Sequence, residues 1–151
     1  MKKEMTILIA EDDIGHASLI MKNLRRAGIT NEILHFQDGQ QILDYLFGKG
    51  GQTPFANGVP YLLLLDIRMP KMDGVEVLSQ IKAHPQLKTM PVIMLTTTDD
   101  PREVERCYKL GCSSYVAKPI DYDKFTEAIR QLGLFLMVVE VPTIDESSRV
   151  N

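Results

Sequence analysis

Short apolar runs alternate with longer segments of helical period along most of the chain. The runs cover residues 5–10, 33–36, 61–65, 92–95 and 115–117. Runs this short and continuously apolar are typical of strands buried on both faces, as in a parallel sheet covered by helices. The alternation therefore predicts a doubly wound α/β domain, with a five-stranded parallel sheet, helices on both faces and right-handed crossovers.

Local signals support the limits of the predicted helices, which lie near residues 15–27, 39–47, 74–83 and 101–110 and from about residue 122. Asp100 and Pro101 supply an N-cap and a proline at the first helical position, and Gly111 suits the far end of the same helix. Pro85 ends the preceding helix. Asp121 can cap the last helix.

Length and charge limit what the domain can do. The chain has 151 residues, and we expect one domain over residues 5–142 followed by a polar, disordered tail at 143–151. The net charge of -3 argues against a nucleic-acid-binding surface, which is normally basic. No apolar run approaches the ~20 residues of a membrane span, and the start lacks a signal-peptide core, so we expect a cytoplasmic location.

The cysteines and histidines give no sign of a metal site. Cys107 and Cys112 have no CxxC or Cys/His spacing, which indicates ordinary reduced thiols. His16, His35 and His84 are equally isolated in the sequence, and none is predicted as a ligand.

Polar side chains gather where the predicted strands end. Glu11, Asp12 and Asp13 follow the first run, Asp66 the third, Thr96 the fourth and Lys118 the fifth. Because ligands of open α/β sheets bind outside the carboxyl ends of the strands, these side chains are expected to converge at one edge. A lone acid after a strand is most often a helix N-cap, and that role is predicted for Asp13.

The acids of this cluster require a counter-charge. Carboxylates as close as Glu11, Asp12 and Asp66 raise one another's pKa unless a cation relieves the repulsion. A hard divalent ion, Mg²⁺ or Mn²⁺, prefers oxygen ligands and retains waters that a phosphate can replace. With Lys118 as a second positive group, the sequence predicts a site that binds a cation and then a phosphoryl group.

At these residues the chain resembles the receiver domains of two-component response regulators, which have a flavodoxin-like (CheY-like) fold. The matching motifs are Ile-Ala-Glu11-Asp12-Asp13, Leu-Leu-Leu-Leu-Asp66-Ile-Arg-Met-Pro70-Lys-Met-Asp73-Gly74, Met-Leu-Thr96-Thr97 and Tyr115-Val-Ala-Lys118-Pro119. Together they cover about residues 5 to 132.

The resemblance assigns the metal and the phosphoryl acceptor. It implies that Asp66 is phosphorylated and also binds the metal. Asp12 would bind the metal directly and Glu11 mainly through water, and the backbone carbonyl of Arg68 would supply a further ligand.

The resemblance also implies how phosphorylation is read. Thr96 would hydrogen-bond the phosphoryl group, Lys118 would pair with it, and Tyr115 would be the switch aromatic. A cis peptide bond would precede Pro119.

Partners follow from the same resemblance. A sensor histidine kinase, of the phytochrome type on a narrower match, would donate the phosphoryl group, and the chain would catalyse only its own phosphotransfer and dephosphorylation. The sequence leaves open whether the output is an effector or a histidine phosphotransfer protein in a phosphorelay.

Two other functions conflict with the local sequence. An aspartate-nucleophile phosphohydrolase needs a second acid two residues after the nucleophile, where this chain has Arg68. A flavin or nucleotide binder needs a Gly- and hydroxyl-rich turn after the first strand, which here is acidic.

The segment at 134–141 is more apolar than a receiver domain requires. An apolar stripe continues the last helix past Gly133, through Phe125, Ile129, Leu132, Leu136 and Val139. If it were exposed, this apolar surface would tend to associate with other proteins. We therefore expect the extended C-terminal helix to contribute to a homodimer interface. The alternative is that this segment folds back as an extra strand or covers its own domain.

Overall fold

The computed structural model describes residues 4–49 and 58–144. Its five strands are β1 (Thr6–Ala10), β2 (Ile33–Phe36), β3 (Tyr61–Leu65), β4 (Val92–Thr96) and β5 (Ser114–Ala117). Its five helices are α1 (Ile14–Arg26), α2 (Gly39–Leu46), α3 (Gly74–Ala83), α4 (Pro101–Leu110) and α5 (Tyr122–Leu136). These elements match the predicted ones to within one or two residues. Residues 50–57, between α2 and β3, lie outside the described residues.

All strands pair in parallel, in the order β2-β1-β3-β4-β5. The order reverses at β1 and β3, and ligands of doubly wound sheets bind at such a switch point, beyond the carboxyl ends of the strands. β1 and β3 are paired along their full length, from Thr6 opposite Tyr61 to Ala10 opposite Leu65. Glu11 and Asp66 therefore leave the sheet side by side.

Side chains of the central strands point alternately into two cores. Leu8 and Leu63 pack with α2, α3 and α4 on one face, whereas Ile7 and Leu62 pack with α1 and α5 on the other. Since both faces are covered, the strands are apolar at most positions, which is the feature that identified them in the sequence.

Aspartates begin all five helices. The predicted caps are confirmed: the side chain of Asp13 accepts from the backbone N–H of His16, and Asp100 and Asp121 cap α4 and α5 in the same way. Asp38 and Asp73 cap α2 and α3 and were not predicted. Each cap satisfies a backbone donor that would otherwise have no partner.

The C-terminal segment covers its own domain. α5 continues past Gly133 to Leu136, but its apolar stripe faces inward, with Phe125, Ile129, Leu132 and Leu136 all buried. The expectation that this stripe forms a dimer interface is therefore wrong, because these side chains pack on the sheet and on α1.

Beyond α5 the chain returns to the sheet. Thr143 forms an isolated antiparallel bridge with Pro60, and Ile144 is buried in the core on the α2–α4 side. The rest of the predicted tail, residues 145–151, lies outside the described residues. Within the described ranges, every helix is too short or too polar to cross a membrane.

Candidate functional site

Three of the predicted site residues directly follow a strand, and each donates a backbone hydrogen bond to the neighbouring strand. The N–H of Glu11 donates to the carbonyl of Phe36 at 3.0 Å, and that of Asp66 donates to Ala10 at 3.1 Å. The N–H of Lys118 donates to the carbonyl of Thr96 at 2.6 Å. The side chains at the strand ends are therefore held by the rigid sheet and not by mobile loops.

The structure brings the three predicted acids together. Glu11, Asp12 and Asp66 each present a carboxylate oxygen, and these oxygens lie within 4.8 Å of one another. Glu11 and Asp66 are buried and Asp12 is exposed, so the cluster opens to solvent on one side. Oδ1 of Asp66 is buried and has no hydrogen-bond partner among the residues that the structure describes. A set of hard oxygen donors that includes one unsatisfied oxygen fits Mg²⁺ or Mn²⁺.

The Lys118 ammonium sits against these acids. Its Nζ contacts Oε1 of Glu11 and lies 3.3 Å from Oδ2 of Asp66. Only 1% of the lysine side chain is exposed, so the charge is neutralised inside the protein and not by water. The bond before Pro119 is trans, since the described residues contain no cis peptide, and the expected cis bond is absent. Lys118 reaches both acids with this trans geometry.

The surroundings of Glu11 shift its pKa away from the ordinary value. Burial raises its pKa to about 7, against the hydrogen bond and charge of Lys118, which lower it, while Asp66 raises it further. A carboxyl group with a pKa near neutrality exchanges its proton for a metal ion readily.

Gly74 sets the approach of α3 to the site. A Cβ at this position would lie 2.0 Å from the carbonyl oxygen of Asp66, far inside contact distance. The N–H of Gly74 donates instead to the carbonyl of Ile67 at 2.7 Å. This close approach requires glycine, and it holds the backbone at the carbonyl of the predicted phosphoacceptor and at the residue after it.

An open groove of about 580 Å³ lies beside the acids. Its lining includes Asp12, Arg68, Thr98 and Glu103. Nε of Arg68 donates to Oγ1 of Thr98 at 3.3 Å. The guanidinium of Arg68 therefore spans the groove from the loop after β3 to the loop after β4. The groove leaves room for a phosphoryl donor to reach the cluster.

Thr96 and Tyr115 lie on one hydrogen-bonded path. Thr96 is fully buried, and its Oγ1 accepts from the N–H of Thr98 at 3.5 Å. The Tyr115 hydroxyl donates to the carbonyl of Thr98 at 2.5 Å, and burial raises the pKa of this phenol to about 12. The phenol is therefore neutral and can act as a donor.

Sequence reasoning missed two histidines that contact the site. Nδ1 of His16 lies 3.3 Å from Nζ of Lys118, and Nε2 of His35 donates to the carbonyl of Glu11 at 2.8 Å. One signal was present for His16, since it lies in the first turn after the acid cluster. The two thiols are free, as predicted, and both are buried.

The protein-family model for the response regulator receiver domain matches residues 7–130, and this range includes every one of the site residues above. The chain belongs to the response regulator receiver family. Receiver domains are signalling phosphoacceptors, and this chain has the fold of the family.

Three relatives illustrate the match. A receiver domain from Rhodospirillum rubrum has a crystal structure that is 49% identical, covers 93% of this chain and 99% of its own, and superposes with a TM-score of 0.87. Response regulator Rcp1 of Synechocystis is 35% identical over 74% of this chain and 75% of its own length. Its Mn²⁺-bound structure is 29% identical, with a TM-score of 0.79 over 91% of this chain and 98% of its own.

The third relative is the phosphorylated cyanobacterial phytochrome response regulator RcpA. It is 28% identical, with a TM-score of 0.81 over 93% of this chain and 99% of its own. Receivers associated with phytochromes are thus among the similar structures.

Proposed function

We propose that this receiver accepts a phosphoryl group on Asp66 from a partner histidine kinase and signals through protein contacts that change on phosphorylation. The observation that carries the proposal is the unsatisfied, buried Oδ1 of Asp66, beside two further acids and the Lys118 ammonium. A buried carboxylate oxygen without a partner is costly, and it is retained here as a nucleophile and metal ligand.

A divalent cation, Mg²⁺ or Mn²⁺, would be held by Asp12 and Asp66 directly, by Glu11 through water and by the carbonyl of Arg68. When bound, it supplies positive charge to the oxygens of the transferring phosphoryl group. The Mn²⁺-bound state of Rcp1 supports this choice of ion.

The reaction is an in-line displacement. An oxygen of the Asp66 carboxylate forms a bond to phosphorus while the bond from phosphorus to the kinase histidine nitrogen breaks, which leaves a neutral imidazole after proton uptake from solvent. Lys118 and the Thr96 hydroxyl stabilise the charge on the phosphoryl oxygens. Hydrolysis of the resulting acyl phosphate by water restores Asp66.

Phosphorylation is read out through the path from Thr96 to Tyr115. The new group adds about -1.5 to -2 charge. Thr96 turns toward this charge and vacates its buried position, and Tyr115 moves inward. That movement changes the surface made by α4, β5 and α5.

The similarity to RcpA supports a phytochrome-type kinase as the donor, acting on this receiver in the cytoplasm. The receiving partner is a protein that binds the remodelled surface.

A homodimer is part of the proposal. Although the stripe of α5 is buried, its outer side and the turn after it carry Leu134, Phe135, Met137 and Val138, which are 47% to 77% exposed. An apolar patch of this kind marks an interaction surface, and a second copy is the partner that we propose.

Light scattering tests the dimer. Phe135→Ser should shift the protein toward monomer, whereas Ile14→Ser, which changes an exposed apolar residue on α1, should not. A monomeric parent at high concentration, with and without phosphorylation, would contradict the dimer.

Acetyl phosphate tests the phosphoacceptor itself. A phosphate-affinity gel should show a retarded band with Mg²⁺ that is lost with EDTA and in Asp66→Asn, but retained in Asp73→Asn, which preserves a capping residue at the start of α3. A band that survives Asp66→Asn would exclude the assignment.

A further inference from the structure

The Lys118 ammonium has three acceptors at its Nζ. An ammonium offers three N–H donors and no acceptor. Glu11 at the end of β1 takes one, Asp66 at the end of β3 takes another, and Nδ1 of His16 on α1 lies 3.3 Å away. Because a lysine can only donate, a hydrogen bond between the two groups requires this His16 nitrogen to accept, with the ring proton on Nε2.

Two contacts position His16, one through its backbone and one through its ring. The backbone N–H of His16 donates to Oδ1 of Asp13 at 3.0 Å, which places the residue in the capped first turn of α1. Its ring packs on Phe125 of α5 with centroids 5.7 Å apart and an interplanar angle of 30°. Phe125 is buried in the core under α1 and α5. The acceptor is therefore held from two helices that belong to the same core.

We infer that His16 is a positioning residue for Lys118 and sets the rate at which Asp66 takes a phosphoryl group. The inference rests on the proposed function of Asp66. It adds a residue outside the acid cluster that aims the lysine.

The geometry explains the need for a neutral acceptor. Once Asp66 carries a phosphoryl group, Lys118 has to leave Oδ2 and follow the phosphoryl oxygens. With only Glu11 remaining, the ammonium would be drawn toward the end of β1. His16 holds the same Nζ from the other side without adding negative charge that would repel the incoming phosphoryl group.

Three variants separate this role from packing. His16→Leu keeps an apolar contact with Phe125 and removes the acceptor. His16→Asn places its Oδ1 at about the reach of Nδ1 and restores an acceptor. Lys118→Met removes the donor, and the His16→Leu change is repeated in that background as a double-mutant cycle.

The readout is the rate of phosphorylation by acetyl phosphate with Mg²⁺. His16→Leu should slow the reaction about 3- to 10-fold, less than is usual for a hydrogen bond to a charged group, because the His16 side chain is part exposed. His16→Asn should recover most of the parent rate. In the Lys118→Met background, loss of His16 should add nothing.

Three results would overturn the inference: a His16→Leu variant as fast as the parent, an Asn variant as slow as the Leu variant, or an undiminished His16 effect without Lys118. A parent that takes no phosphoryl group would instead defeat the proposed function. Hydrogen exchange of the Lys118 amine, measured by NMR without phosphodonor, decides the contact in either case. It should be faster in His16→Leu than in the parent and in His16→Asn.

Discussion

Replacing Glu11 by glutamine should change how stability depends on pH. Burial raises the pKa of Glu11 from 4.5 to about 7, so the folded protein holds a proton that the unfolded chain releases between these values. The stability that this group contributes is complete below about pH 4.5 and is lost as the pH rises through about 7. Glutamine keeps an acceptor for Lys118 and carries no charge. The variant should therefore not lose stability in this way as the pH rises.

The size of the effect follows from the pKa. One unit of pKa difference corresponds to about 1.4 kcal/mol, so the shift from 4.5 to about 7 sets an upper limit of about 3 kcal/mol above pH 7. For a chain of this length, each kcal/mol moves the melting temperature by about 2–4 °C. In EDTA above pH 7, Glu11→Gln should therefore melt several degrees higher than the parent, and the two should converge near about pH 4.5.

Thermal unfolding across pH, in EDTA and in Mg²⁺, measures this difference. Glu32→Gln, which changes an exposed glutamate near the start of β2, is the matched control and should follow the parent. Added Mg²⁺ should stabilise the parent more than Glu11→Gln. Parallel pH profiles for the parent and Glu11→Gln would refute the assignment of Glu11 as a strained, protonatable member of the cluster.

Three further outcomes are expected. Asp12→Asn should lose the stabilisation by Mg²⁺, about 2.7 kcal/mol at a hundredfold excess over Kd, whereas Asp13→Asn, which keeps the cap of α1, should retain it in the same melting assay. Gly74→Ala should cost about 1–3 kcal/mol in urea unfolding and slow phosphorylation, because its Cβ would meet the backbone carbonyl of the phosphoacceptor; an unchanged protein would contradict the close packing. Thr96→Ala should abolish the shift of the Tyr115 ring signals in NMR spectra on phosphorylation, and a full shift in this variant would exclude the proposed path.

The fold could be predicted because its determinants are local. Strands covered on both faces are apolar at most positions, and Asp100, Gly111 and Asp121 mark helix ends whose backbone groups they satisfy. The C-terminal segment was harder. The periodicity of apolar residues shows which side chains share a face of α5, but it does not show whether that face packs on the same domain or on another chain. A Cβ at Gly133 would lie 2.7 Å from Cβ of Ala27, so this glycine lets α5 pack closely against the end of α1.

The site was predictable in its acids and lysine because the rule for strand ends places them without knowledge of side-chain geometry. His16 was not, since its role depends on where one ring nitrogen points, and Phe125, which lies more than a hundred residues away in sequence, fixes that direction. The unsatisfied oxygen of Asp66 was equally invisible in the sequence, because satisfaction is a property of the packed site.

A crystal structure with Mn²⁺ and beryllofluoride would show where a phosphoryl-like group and a metal bind. We expect beryllofluoride on an oxygen of Asp66, anomalous signal from Mn²⁺ beside Asp12, and Nζ of Lys118 moved from Asp66 to a fluorine. Beryllofluoride on another residue, or a metal away from the ends of β1 and β3, would contradict the proposed function.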